Sequence, residues 1–167
     1  IIVFMFLAGV NFTLMWLMGS GDFRAAWKDE EFRTYLFYIF TAVVLVAASL
    51  VLVGVAMGNA VLDTLFHVLS IGTSTGYASA DYTEWPGVAR IVLFLLMIVG
   101  ACAGSTSGGL KLMRIRIGVK VAFRELARIA QPRKIHMIRM NNEVVEDKQV
   151  SLVVGMLFIW VILFGFS

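Results

Sequence analysis

Charge is scarce in this sequence: 15% of its 167 residues are Asp, Glu, Lys or Arg, while 60% are apolar. That balance excludes a soluble domain, which needs far more polar surface at this size. Cysteine occurs once, at Cys102, so no internal disulfide can form, and the residue reads as a small side chain in a tight place. The two histidines, His67 and His136, have no Cys, His or carboxylate partners at ligand spacing, so no metal centre is expected. A phosphate-binding loop is excluded because Leu110 separates Gly109 from Lys111, and Leu112 rather than Ser or Thr follows the lysine. No nucleophile–base set is present, so an enzyme is not expected. There is no initiator Met, basic leader or small-residue cleavage site, so we read the chain as a slice of a longer polytopic protein without a signal peptide.

What the sequence has is long apolar runs. A bilayer crossing takes about 20 residues, and uncharged stretches of that order follow Arg33, separate Arg90 from Lys111, and run from Ser151 to the end. Ile1–Met18 is apolar apart from Asn11 and Thr13. Of the fourteen Lys and Arg residues, three lie in 19–33, ten in 111–148, and only Arg90 in 59–90. Positive charge stays cytoplasmic, so both basic segments are placed inside and 58–86 outside. The net charge of +3 then reflects topology and contact with membrane lipid, not nucleic acid.

The expected order is a descending helix over 1–18, a cytoplasmic loop over 19–33 and an outward helix over 34–57. A returning segment over 88–130, a cytoplasmic loop over 131–149 and a truncated outward helix over 150–167 follow. As one helix, 88–130 would be about 64 Å long, twice the hydrocarbon thickness of about 30 Å. It must break or protrude. Its second half is amphipathic, with Leu112, Ile115, Val119, Ala122, Leu126 and Ile129 on one face and Arg116, Lys120, Arg124 and Arg128 on another. Such a helix suits the inner membrane surface or a cytosolic partner, and equally a solvated face.

Residues 58–86 must begin and end on the outer side. "GNAVLDTLFHVLSI" predicts a short helix over 59–71, with Asn59 as N-cap and Asp63 near its first turn. Twelve residues make about 18 Å of helix, too short to span. It lies on the surface or dips in and returns through "GTSTGY", residues 72–77. Irregular backbone at membrane depth is tolerated only where protein covers it or a wet pore lines it. Thr73, Ser74 and Thr75 offer carbonyls and hydroxyls, Gly76 offers torsions closed to other residues, and the helix C-terminus carries partial negative charge suited to a cation. His67 is expected to pack or bond locally. The segment "GACAGSTSGGLK", Gly100 to Lys111, has four glycines in ten residues, each about 1 kcal/mol worse than Ala in a helix. Close helix packing on a Gly100/Gly104/Gly108 face and an unwound intramembrane loop both fit it.

"TSTGYASADYTEWP", "GACAGSTSGGLKLMRIR" and "FLAGVNFTLMWLMGSGDFRAAWKDEEFRTY" together resemble the Trk/Ktr/HKT superfamily of potassium transporters, nearest to the membrane subunit of bacterial Trk systems (TrkH/TrkG type). The resemblance covers essentially the whole chain. It implies an all-α multi-pass protein built from four repeats of helix, pore helix, filter loop and helix around one pore. This chain would hold the end of repeat two, repeat three (34–130) and the start of repeat four. By the same resemblance, Thr73, Ser74, Thr75, Gly76 and Tyr77 are one quarter of a potassium filter. Gly100, Gly104, Ser105, Thr106, Ser107, Gly108, Gly109 and Lys111 form an intramembrane gate loop. Ser74 stands where Thr is commoner. Also implied are potassium as the transported ion with no bound cofactor, gated uptake across the bacterial inner membrane, a homodimer, and a cytosolic nucleotide-binding regulatory ring facing Arg124, Arg128 and Arg133. The competing reading is a non-transporting scaffold or assembly subunit, with 73–77 in water and 111–139 a lipid or partner dock. An anion transporter is disfavoured, because the half-helix would present its negative end.

Overall fold

The computed structural model describes residues 1–130, 139–140, 143–144 and 147–165. Eight helices account for nearly all of the regular structure among them: α1 (Ile2–Ala8), α2 (Phe12–Gly19), α3 (Phe23–Lys28), α4 (Glu30–Leu52), α5 (Met57–Gly72), α6 (Gly87–Val99), α7 (Leu112–Ala130) and α8 (Asp147–Gly165). A two-residue antiparallel pair, Arg139–Met140 with Glu143–Val144, is the only sheet among the described residues.

The chain forms two units, Ile1–Leu112 and Met113–Ser167. In the first, α4 packs on α5 and α6, α5 packs on α6, and α1 packs on α5. The stripe Phe32, Tyr35, Ile39, Ala42, Val46 and Leu50 is buried, and its three-four spacing is the core face of α4. The opposite side of the same helix exposes Phe37, Phe40, Val44 and Leu45. An apolar helix whose outer face is also apolar is built for lipid or for further protein, not for water. With 23 residues, α4 is long and apolar enough to cross a membrane, and the α1–α2 pair passes the same test only if its 113° bend is counted within one span.

Several boundaries differ from the sequence reading, each for a local reason. Residues 1–18 are not one helix: α1 ends at Gly9 and α2 restarts with Asn11 as N-cap, its side chain accepting from Thr13 N–H at 2.8 Å. A Cβ at Gly9 would strike the Tyr35 hydroxyl, so only glycine lets α4 approach there. The 19–33 loop contains α3, and α4 begins at Glu30 because the Asp29 side chain accepts from Phe32 N–H at 2.7 Å. α5 starts two residues before Asn59 with no side-chain cap, which puts Asp63 a turn further in than expected. In the second unit, Ile117 with Met113 and Val121 packs against Val150 and Val153 of α8. Val119, Ala122 and Leu126 of the expected apolar face of α7 stay exposed.

Candidate functional site: a filter-like loop bonded to a glycine-rich segment

α5 runs for 16 residues and ends at Gly72, where backbone and hydroxyl groups wrap its last turn. Thr73 donates to Leu69 O through both its N–H (2.9 Å) and its hydroxyl (2.7 Å). Ser74 N–H donates to Ile71 O at 3.0 Å. Thr75 and Gly76 N–H both donate to Ser70 O, at 2.8 and 3.2 Å, and the Ser70 hydroxyl donates to Tyr77 O at 2.6 Å. The carbonyls on either side are therefore engaged. Those of Thr73, Ser74, Thr75 and Gly76 receive no hydrogen bond among the described residues.

The backbone explains how four successive oxygens stay available. Ser74 (φ 59°) and Gly76 (φ 79°) take left-handed torsions, while Thr73 and Thr75 do not. Inverting every second residue undoes the usual alternation of a strand. Ser74 is a non-glycine residue in this region, a conformation that costs on the order of 1–3 kcal/mol unless its surroundings hold it. They do: the Ser74 hydroxyl accepts from Gly108 N–H at 3.1 Å and lies 3.5 Å from the Ser107 hydroxyl.

Behind the loop, His67 is fully buried, with Nδ1 2.8 Å from Asp63 O and Nε2 3.1 Å from Ala80 O. The rings of Phe66, Tyr82 and Trp85 meet it edge-on. His67 thus lies between a carbonyl of its own helix and one on the segment that leaves the loop, and a neutral imidazole donates to one of the two at a time. A cavity of ≈ 530 Å³ opens beside the loop, lined by Ser70, Ser74, Gly76, Tyr77, Arg90 and Phe94 among others. Asp63, Asp81 and Glu84 line a second cavity of ≈ 340 Å³. Hydrogen bonds from the Thr83 hydroxyl and then the Thr83 amide hold the exposed Asp81 carboxyl below its ordinary value, so it stays charged.

α6 ends at Val99, and residues 100–111 carry no helix. The close-packed helical face is thereby replaced by an unwound segment. Gly100, Gly104 and Gly109 are left-handed, as is Lys111 (φ 68°). The segment has two sides. On one, Leu110 and Lys111 N–H donate to Ile98 O and Val99 O at 3.1 and 2.9 Å, and the buried Ser107 hydroxyl donates to Gly72 O at 3.2 Å. On the other, residues 102–106 are bonded to the α1–α2 break. Cys102 N–H donates to Gly9 O at 3.2 Å, Phe12 N–H to Gly104 O at 3.1 Å, and Thr106 to Ala8 O through its N–H (3.3 Å) and hydroxyl (3.1 Å). Lys111 Nζ donates to Ser105 O at 3.3 Å, closing the segment on itself.

The structure thus brings residues 73–77 and 100–111 into direct contact. It leaves the basic residues on another unit. There Glu125 bridges Arg124 (3.2 Å) and Arg128 (3.3 Å), while Arg133 lies outside the described residues. Glu31, Asn11 and Gly9 were not among the residues singled out from sequence, yet all three touch the glycine-rich segment or its receptor. Asp29 as an N-cap would have placed Glu31 in the first turn of α4. Nothing local names its partner.

The model of the TrkH family, described as cation transport protein, matches residues 1–167. The chain belongs to the TrkH family. It is 31% identical to the Trk system potassium uptake protein TrkH of Escherichia coli K12, over 98% of this chain and 35% of that protein. It is 26% identical to TrkG of the same organism, over 94% of this chain and 33% of the relative. The crystal structure of the potassium transporter TrkH from Vibrio parahaemolyticus superposes with a TM-score of 0.84 at 30% identity, covering 92% of this chain and 34% of that one. The chain therefore spans about a third of the length of these relatives, and its helical, multi-pass membrane fold is that of TrkH. The family is one of transporters, not enzymes.

Proposed function

We propose that this chain supplies one repeat of a potassium-uptake pore, with residues 73–77 as a quarter of the selectivity filter and 100–111 as its gate. The observation that carries the reading is the run of four carbonyls, Thr73 to Gly76, left without hydrogen-bond donors at the C-terminus of α5. Rings of such oxygens replace the water shell of a dehydrated potassium ion, and a helix C-terminus adds favourable negative potential. The names of the relatives, potassium uptake proteins of Trk systems, point the same way. One loop makes a quarter of a cage, so the other three come from further repeats. On this reading the segment bonded to the filter obstructs the pore until it moves, and glycines let it move without repacking large side chains. The protein would sit in the bacterial inner membrane as a homodimer. The exposed residues of α7 would face lipid or a cytosolic nucleotide-binding ring.

The test is rubidium and sodium uptake by the intact protein in cells lacking other potassium uptake. Gly76→Ala forces a side chain into a left-handed torsion where nothing crowds it, so its effect is on the backbone alone. The expected result is lost rubidium uptake or lost preference over sodium. Unchanged uptake and preference would sink the assignment and leave the scaffold reading.

A further inference from the structure

We infer that Glu31 is a positioning residue whose carboxylate fastens the glycine-rich segment in its obstructing conformation. The inference rests on the gate reading above and adds the group that holds the gate shut. Glu31 lies in the first turn of α4 and is 5% exposed. Its Oε1 accepts from the backbone N–H of Ala103 at 2.6 Å, across 72 positions of sequence. Ala103 sits between Cys102 and Gly104, the two residues bonded to Gly9 and Phe12. The backbone bonds that hold Cys102 to Gly9 and Gly104 to Phe12 pair neutral groups, as does the contact of the Cys102 thiol with the Asn11 backbone. The bond from Ala103 ends on a carboxylate, and charge-assisted hydrogen bonds are about twice as strong.

The two ends of this bond belong to parts of different rigidity. α4 is packed on α5 and α6 along its length, and the start of a helix favours negative charge. Residues 100–111 are irregular and hold several left-handed glycines. Any displacement of the segment away from the filter must break the Ala103 bond, and Glu31 stays behind with α4. A shorter side chain at this position lowers the barrier to that displacement without touching the filter.

Three substitutions in the intact protein separate this role from a plain helix-start role. Glu31→Gln keeps the length and an acceptor oxygen. Glu31→Asp keeps the charge at the helix start but draws the oxygen back by about one carbon–carbon bond. Glu31→Ala removes both. Hydrogen–deuterium exchange over residues 101–106 and rubidium flux into proteoliposomes without an activating partner are the two readouts. The expected pattern is exchange about tenfold or more faster in the Ala and Asp variants, with raised flux, and a smaller increase in both for Gln, which keeps the acceptor oxygen but loses the charge. If Asp behaves as native while Gln is impaired, the carboxylate serves the start of α4 and the inference is overturned. Unchanged exchange in both the Asp and Ala variants overturns it as well. Faster exchange with native flux keeps the fastening role, and it is the gate assignment that falls. Should the Ala variant not fold, the Asp and Gln pair still decides.

Discussion

The Ser107 hydroxyl donates to the Gly72 carbonyl at 3.2 Å while accepting from Ala101 N–H at the same distance. One side chain, 4% exposed, therefore ties the last residue of α5 to the start and the middle of the segment that follows α6. Ser107→Ala leaves the Ala101 amide and the Gly72 carbonyl without this partner in a buried place, which costs about 1–3 kcal/mol. Thermal unfolding of the detergent-solubilised protein should show a lowered midpoint. An unshifted midpoint would mean that water takes over both bonds.

The glycines of the segment are not equivalent. A Cβ at Gly109 would lie 2.9 Å from Ile98 O, on a backbone with φ 79°, and at Gly100 it would run into Gly108 O. At Gly108 it would rest 3.4 Å from Ser74 Oγ, an ordinary contact. Gly100→Ala and Gly109→Ala should each lower folded yield and stability, whereas Gly108→Ala should leave both near native. Equal tolerance at all three, measured by fluorescence-detected size exclusion, would contradict these backbone conformations.

His67 should matter for ion choice although it is buried away from the loop. His67→Phe keeps an aromatic ring for Phe66, Tyr82 and Trp85 but loses the ring nitrogen that lies 3.1 Å from Ala80 O. The segment after Tyr77 then has one polar contact fewer, and the expected effect is weaker discrimination of rubidium from sodium with uptake retained. Native discrimination would limit His67 to packing.

How much of this could be read from residues alone depends on the range of the interaction. The need for a break within 88–130 follows from length against membrane thickness, and the chain leaves the helix at Gly100. The short helix before "GTSTGY" follows from apolar spacing, although its start was misplaced because Asn59 makes a good cap and no side chain caps the true start. The break at Gly9 has no local signal: an apolar run with one glycine reads as a helix, and what forbids a side chain there is Tyr35, 26 positions away in the sequence. The apolar face of α7 was chosen by period, whereas Ile117, facing Val150, decides which side is buried. Local pattern gave the elements and the loops. Contacts between distant segments decided the rest.

On the basic helix, the proposed partner must compete with an internal neighbour. Glu125 already engages Arg124, whose side chain is largely covered, and Arg128, whose exposed pair with it is worth only about 0–1 kcal/mol. Arg124→Glu with Arg128→Glu should leave folding intact and weaken co-purification of a cytosolic regulatory subunit, more so at low salt. Undiminished recovery at every ionic strength would remove this face from the partner's footprint.

The unclaimed oxygens of residues 73–76 also constrain how such a protein can be built at all. Peptide groups without donors are not tolerated against hydrocarbon, so these four must meet water, an ion or another polar surface from the moment the helices close around them. On the filter reading, a hydrated axis is thus a condition of assembly: the same unclaimed backbone that would bind the travelling ion would oblige the bundle to keep a wet interior.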